Sequence, residues 1–305
     1  MLLQLGVCAV FLSHCYITGG SNGLGLAIAM ELSKRGAHIT IVARDSQKLS
    51  EAIDTIKNVA KYPDAQKFSF ISANVTDAKA GQVAFESANS SPEIGPVDWV
   101  FTCAGAAIPG FFKDQIANDF ERGIALNYLG TLYTLKAAVK CWKGANGHIS
   151  KKKIVIISST LALTGLVGYS QYVPSKYATK GLAEVLRQEL AQDGVEVHIY
   201  FVSTILSPGY AQEQLTKPEI TKAIEGSTTG EEDASPENRA KTLLHGIINE
   251  NRFMIASDWS TYALMLASAG TAPRRLFGEL IFVSPVAMLF VATWRYYCDW
   301  LITRA

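Results

Sequence analysis

The sequence predicts an α/β fold built on a doubly wound parallel sheet, with a hydrophobic helical extension at its C-terminal end. Three observations carry that prediction. Short apolar runs alternate with amphipathic stretches from Cys15 to about Met254, a glycine-rich turn follows the first run, and the tail beyond Asp258 is apolar. Alternation of this kind lays strands side by side in parallel and covers both faces with helices. Right-handed connections then leave the doubly wound order as the economical topology.

The strand-like runs are Cys15–Thr18, Ile39–Ala43, Phe68–Ala73, Trp99–Cys103, Ile154–Ser158, Val197–Val202 and Phe253–Ala256. Helix-like stretches between them include Leu24–Arg35, Ser46–Val59, Asp114–Val139, Ser175–Gln192 and Ser235–Asn249. Glu225–Asn238 is polar, acidic and rich in turn formers, so it reads as a surface loop. Ser235-Pro236 then supplies an N-cap and a first-turn proline for the next helix. Met1 to Cys15 is apolar and carries no Lys or Arg. It lacks the basic start of a signal peptide, and cleavage would fall against the first strand, so it reads as lead-in plus strand.

Composition narrows the function classes. A formal charge of +1 gives no general electrostatic reason to bind nucleic acid. The mean hydropathy of +0.15 and the 18% of charged residues are apolar values, and the excess is local to the tail. Cys8, Cys15, Cys103, Cys141 and Cys298 form no C-x-x-C and cannot all pair, which fits free thiols in a reducing compartment. Scattered histidines without ligand spacing predict no metal.

The turn Thr18-Gly19-Gly20-Ser21-Asn22-Gly23-Leu24-Gly25 joins the first strand to the first helix. Such a turn lets the backbone approach a pyrophosphate at the positive end of the helix, so Gly19, Ser21, Asn22, Gly23 and Gly25 are candidate cofactor residues. At the end of the second strand Ala43 stands where an NAD site usually places an acid. Arg44 follows, suited to a 2′-phosphate, and the cofactor expected is NADPH. Only Tyr172, of twelve tyrosines, has a lysine four residues on, Lys176, which shares its face of a helix. Pro174 between them requires that the helix is just beginning. A free phenol titrates near 10, and a nearby ammonium is expected to lower it.

Glycine turn, Tyr-x-x-x-Lys and Ser159 thirteen residues before Tyr172 together resemble the short-chain dehydrogenase/reductase family over about Cys15–Ala256. The resemblance implies a Rossmann-type domain in which Ser159 orients a carbonyl, Tyr172 donates the proton, and Lys176 also binds the nicotinamide ribose. Asn127, in Asn127-Tyr128-Leu129-Gly130, matches the family's fourth catalytic residue and is expected to hold a water leading to Lys176. Cys103-Ala104-Gly105 replaces the family's Asn-Ala-Gly but keeps Gly105 beside the cofactor. Asn74-Val75 stands where an aspartate usually meets the adenine amine. The family's Pro-Gly after the sixth strand is missing; Pro208-Gly209 comes later, which implies a nicotinamide end that is looser than usual or ordered only when the cofactor binds.

Within the family, Tyr16-Ile17-Thr18-Gly19-Gly20-Ser21, Val167–Tyr172, Ser207-Pro208-Gly209-Tyr210 and the apolar tail are similar to reductases of long-chain keto-sphingoid bases. That likeness implies a lipid ketone substrate, a catalytic domain over 1–256 with a substrate loop at 211–238, and a membrane-associating segment at 257–305. It places the protein on the cytosolic face of the endoplasmic reticulum, as a homodimer or homotetramer by analogy. An acid such as Glu213 is a candidate for the substrate's charge. Steroid, retinoid or fatty acyl ketones would use the same machinery; a nucleotide-binding scaffold with a vestigial site is the reading from another class. Leu276–Trp294 would reach only about 28 Å as a helix against a bilayer core of about 30 Å. With Pro285 expected to kink it, a shallow insertion or a hairpin with Trp259–Ala272 fits better than a span.

Overall fold

The computed structural model describes residues 10–143, 152–226, 234–268 and 283–303. Seven parallel strands form one sheet in the order β3-β2-β1-β4-β5-β6-β7: β1 His14–Thr18, β2 His38–Ala43, β3 Phe68–Ser72, β4 Trp99–Thr102, β5 Lys152–Ile157, β6 Val195–Phe201 and β7 Met254–Ala256. Side chains alternate across it. Cys15, Ile17, Val155 and Ile157 enter one core with α1 (Gly23–Ser33), α2 (Ser46–Lys57) and α9 (Pro236–Ile248). Tyr16, Ile154 and Ile156 enter the other, with α3 (Ala78–Asn89), α5 (Gly130–Trp142) and α6 (Val173–Glu189). Burial on both faces explains why the inner strands read as continuous apolar runs.

Three elements differ from expectation. α3 was not foreseen. Its buried face is Gly81, Ala84, Phe85 and Ala88, too small to stand out as an apolar stripe. The single helix expected over Asp114–Val139 is interrupted: α4 (Ala117–Ile124) passes through a π-helical turn, Ala125–Leu129, into α5. One wide turn leaves the apolar periodicity nearly unchanged, so the pattern does not reveal it.

The tail is the third. α10 (Trp259–Ser268) continues the body: Leu264 and Met265 join the second core, and the hydroxyls of Thr160 and Thr261 lie 2.7 Å apart. α11 (Ser284–Ile302) packs on α10 through Ala287 against Ala263 and Leu266. Pro285 opens α11 rather than kinking it, since a first-turn proline has no helical N–H to lose. The part of the expected apolar helix over 276–282 lies outside the described residues. Among the described residues no helix is long and apolar enough to cross a membrane.

Candidate active site

One cavity of about 520 Å³ opens at the C-terminal ends of β1 to β6, around the point where the strand order turns from β1 to β4. Doubly wound sheets bind ligands at this switch point. Gly19, Ser21, Asn22, Gly23 and Gly25 line it after β1, Arg44 after β2, Asn74 and Val75 after β3, and Gly105 after β4. Gly19 adopts φ 68°, and a Cβ there would stand 2.8 Å from the Ala104 nitrogen. The close approach of two loops therefore demands a glycine. Asn22 is extended and offers α1 no side-chain cap, and the first turn carries no acid. The helix thus meets the cavity with uncapped N–H groups, the arrangement an anion requires. Arg44 is exposed at the rim. Asn74 is less available than expected, because its oxygen already accepts from the Thr76 amide at 3.2 Å and hydroxyl at 2.9 Å.

Ser159 follows β5 and caps a 3-10 turn, accepting from the Leu161 amide at 3.1 Å. Close to it, Tyr172 occupies the N-cap position of α6, with Pro174 in the first turn as its chemistry demands. Lys176, one turn on, is buried. Its Nζ donates to the Ile157 carbonyl at 3.1 Å and stands 5.5 Å from the Tyr172 ring centre. Burial lowers the lysine to about 8, against a small opposing effect of Cys103. Burial and then the charge of Glu213 push the Tyr172 phenol up, with the Ser159 hydroxyl working the other way. The lowering expected from Lys176 is absent, because the ammonium addresses a carbonyl and a ring face rather than the phenolic oxygen.

Asn127 lies in the π-helical turn, beside the cavity rather than on its wall. Its side chain is used at both ends: Oδ1 accepts from the Ala106 amide at 2.9 Å and Nδ2 donates to the Ala106 carbonyl at 3.0 Å. These two bonds clamp the loop after β4. Gly105 makes that clamp possible, since a Cβ would fall 2.9 Å from Asn127 Oδ1 and 3.6 Å from Lys176 Nζ.

The segment after β6 is braced at Ser203. Arg239 donates to Ser203 Oγ at 2.9 Å and to the Ser257 carbonyl at 2.8 Å, while Ser203 donates to Asp258 at 2.6 Å. Burial opposes the Asp258 charge, but hydrogen bonds from Ser203, Ser257, Thr261 and Ser260 outweigh it and hold the carboxyl well below the usual range. Pro208 starts α7 (Pro208–Thr216), capped by Ser207.

Glu213, the acid expected to meet the substrate's charge, stands on the cavity wall with charged partners that the sequence did not single out. Glu213 of α7 and Glu225 of α8 (Glu219–Glu225) both line the cavity and both pair with Lys217, which is 1% exposed. Tyr169 donates to Glu213. The four-residue spacing of Glu213 and Lys217 was the available signal. The same cavity is also lined by the apolar side chains of Leu161, Leu166, Leu264, Phe290, Val291 and Trp294, half of them from α11.

The short chain dehydrogenase family model matches residues 13–218. The chain is 33% identical over 290 residues to a 3-ketodihydrosphingosine reductase of Cryptococcus neoformans, covering 94% of this chain and 83% of that protein. It is 35% identical over 264 residues to the 3-ketodihydrosphingosine reductase of Bos taurus, covering 86% and 76%. A match to a PIGF/3-ketodihydrosphingosine reductase fusion protein of Schizosaccharomyces pombe reaches 39% over 254 residues, but the chain spans only 49% of that longer protein. Among solved structures, a short chain dehydrogenase/reductase from Burkholderia phymatum in complex with NAD shares the fold. There the TM-score is 0.70 at 20% identity, over 87% of this chain and 98% of that one. By sequence match and by sheet order, the chain belongs to the short-chain dehydrogenase/reductase family.

Proposed function

We propose that the chain reduces the ketone of 3-ketodihydrosphingosine to dihydrosphingosine with NADPH. The observation that carries the reading is one cavity lined by Ser159, Tyr172 and Lys176 and by apolar side chains to which α10 and α11 contribute. A long-chain ketone needs both, and the names of the relatives supply the substrate class. The chain's own features fit the cofactor: uncapped N–H groups of α1 toward a pyrophosphate, Arg44 toward a 2′-phosphate, and Lys176 toward the nicotinamide ribose. The bound nicotinamide supplies the hydride.

Burial keeps Tyr172 a neutral phenol, so it arrives with the proton that the new alkoxide oxygen needs. Ser159, whose oxygen is held by the Leu161 amide, keeps its O–H to orient the carbonyl. Lys176, whose ammonium stands 5.5 Å from the Tyr172 ring centre, turns from the Ile157 carbonyl toward the phenolate as it forms. Asn127 positions the Ala106 loop. The reading extends to location. α11 carries Val286, Leu289, Phe290 and Trp300 exposed on one side while Phe290, Val291 and Trp294 reach the cavity. This face rests on the cytosolic surface of the endoplasmic reticulum membrane and opens the cavity toward lipid.

The test is NADPH oxidation by the purified protein with 3-ketodihydrosphingosine in mixed micelles, beside a steroid ketone. Tyr172→Phe is expected to lower turnover by about 10²- to 10⁴-fold while NADPH still binds. Near-normal turnover of the variant, or equal efficiency with the steroid, overturns the reading.

A further inference from the structure

Gln171 precedes Tyr172 in the chain and is 2% exposed, yet it is not among the residues that line the cavity. Its Oε1 accepts from the Ile108 amide at 3.2 Å. A backbone N–H can only donate, so the carboxamide is fixed in orientation and its Nε2 faces the other way. Nε2 has no hydrogen-bond partner among the described residues. It lies over Gly123 of α4. A Cβ on Gly123 would stand 2.6 Å from Gln171 Cδ and 3.1 Å from Cγ, and closer still to Nε2, so the three nearest atoms all belong to Gln171. A buried amide group without a partner is unfavourable, and so is a glycine inside a helix. The fold accepts both at one point, and what it gains there is a fixed carboxamide.

The loop after β4 is stitched to the segment ahead of Tyr172 at two further points. The Gly110 amide donates to the Gly168 carbonyl at 2.8 Å, and Ser170 Oγ donates to Gln115 Oε1 at 3.0 Å. Gln115 Nε2 in turn donates to the Ile108 carbonyl at 2.7 Å, so glutamines hold both polar groups of Ile108. Two residues earlier the same loop is held by Asn127, from the π-helical turn that follows Gly123. Gln171 is thus where α4, the loop that brings Cys103 to Ala107 to the cavity, and the residue before Tyr172 meet. Resting on the reading of Tyr172 as proton donor given above, we propose that Gln171 is a positioning residue. Seated on Gly123 and tied to Ile108, it sets where the Tyr172 phenol stands relative to the carbonyl that Ser159 orients. It acts through Tyr172, so its loss slows proton delivery and leaves NADPH binding in place. A misplacement of about 1 Å is enough for an effect of about 10²-fold.

The experiment is a double-mutant cycle on the full chain: Gly123→Ala, Gln171→Ala and the two together, with NADPH and 3-ketodihydrosphingosine in mixed micelles. Three quantities are measured: kcat, the NADPH dissociation constant, and the solvent deuterium isotope effect on kcat. Gly123→Ala fills the seat from outside the cavity, and alanine for a helical glycine ordinarily favours the helix. It is expected to lower kcat by about 10- to 10²-fold, to raise the isotope effect as proton delivery becomes limiting, and to leave NADPH binding unchanged. Gln171→Ala is expected to do the same. The double variant is expected to be no slower than Gln171→Ala, because the new methyl enters space that the carboxamide has left. Unchanged kcat in Gly123→Ala, or losses that multiply in the double variant, overturns the proposal. So does a loss of kcat without a rise in the isotope effect, or with a matching loss of NADPH affinity, either of which marks Gln171 as a brace. Where Gly123→Ala does not fold, Gln171→Ala decides alone: a raised isotope effect with intact NADPH binding sustains the proposal, and an unchanged one overturns it. A wild type that reduces no ketone fails the reductase reading and takes the proposal with it, an outcome distinct from an active wild type with unaltered variants.

Discussion

Lys176 carries its charge where burial works against it, and this has a measurable consequence at the scale of single residues. With the lysine lowered to about 8, it is an ammonium below that pH and a neutral amine above it. The kcat/KM for ketone reduction, which reports groups of the free enzyme, is therefore expected to fall as pH rises through about 8. A profile flat to pH 10 would remove Lys176 from the proton chemistry. Arg44 offers a second test. Arg44→Ala is expected to raise the KM for NADPH about 10- to 150-fold more than that for NADH, one charge-assisted hydrogen bond to the extra phosphate. Ser159, Tyr172 and Lys176 were legible in sequence because their spacing is the chemistry. Lys217 was not, because a lysine in a polar stretch looks solvated until its two carboxylates are seen to come from separate helices. Asn127 was legible as a position, but not as a clamp whose partner, Ala106, is a backbone.

Among the elements, the brace around Ser203 and the π-helical turn decide whether the site is in register. Asp258→Ala removes the carboxylate that Ser203, Ser257, Ser260 and Arg239 share and leaves a buried guanidinium without its counter-charge. Breaking a buried pair in this way costs about 3–5 kcal/mol. The expected result is a lower Tm together with weaker NADPH binding; an unchanged dissociation constant would separate the brace from the cofactor end. The strands were read to within two residues, since buried runs such as Ile154–Ile157 leave little choice. α3 escaped because its buried face is mostly alanine and glycine. The apolar tail was legible as hydropathy, but where α11 begins was not, because Pro285 can end one helix or open the next and only the surroundings decide.

For the molecule as a whole, the sheet carries a pH-sensitive tie at the end of β1 remote from the cavity. His14 is 1% exposed, bonded to the Gly95 carbonyl at 2.8 Å and the Thr40 hydroxyl at 2.7 Å, and burial lowers it from 6.5 to about 4. The unfolded chain takes up a proton near 6.5 while the folded one resists until about 4, so stability is lost as pH falls through that window. The loss is on the order of 3 kcal/mol at about 1.4 kcal/mol per unit. His14→Gln should flatten the dependence of Tm between pH 6.5 and 4; an equal slope in the variant would trace it to other groups.

The wall shared by α10 and α11 has one more consequence, and it concerns the bench. A surface shaped to accept a long alkyl chain does not inspect what the chain is attached to. Detergent monomers carry such chains. Each methylene that finds the wall gains about 0.8 kcal/mol, so a detergent tail competes with the substrate's own. Apparent KM for the lipid ketone is therefore expected to climb with detergent tail length even below the micelle concentration. Trp294→Ala, which shortens the wall, should weaken that dependence. Equal KM values across a series of tail lengths would place the alkyl chain elsewhere.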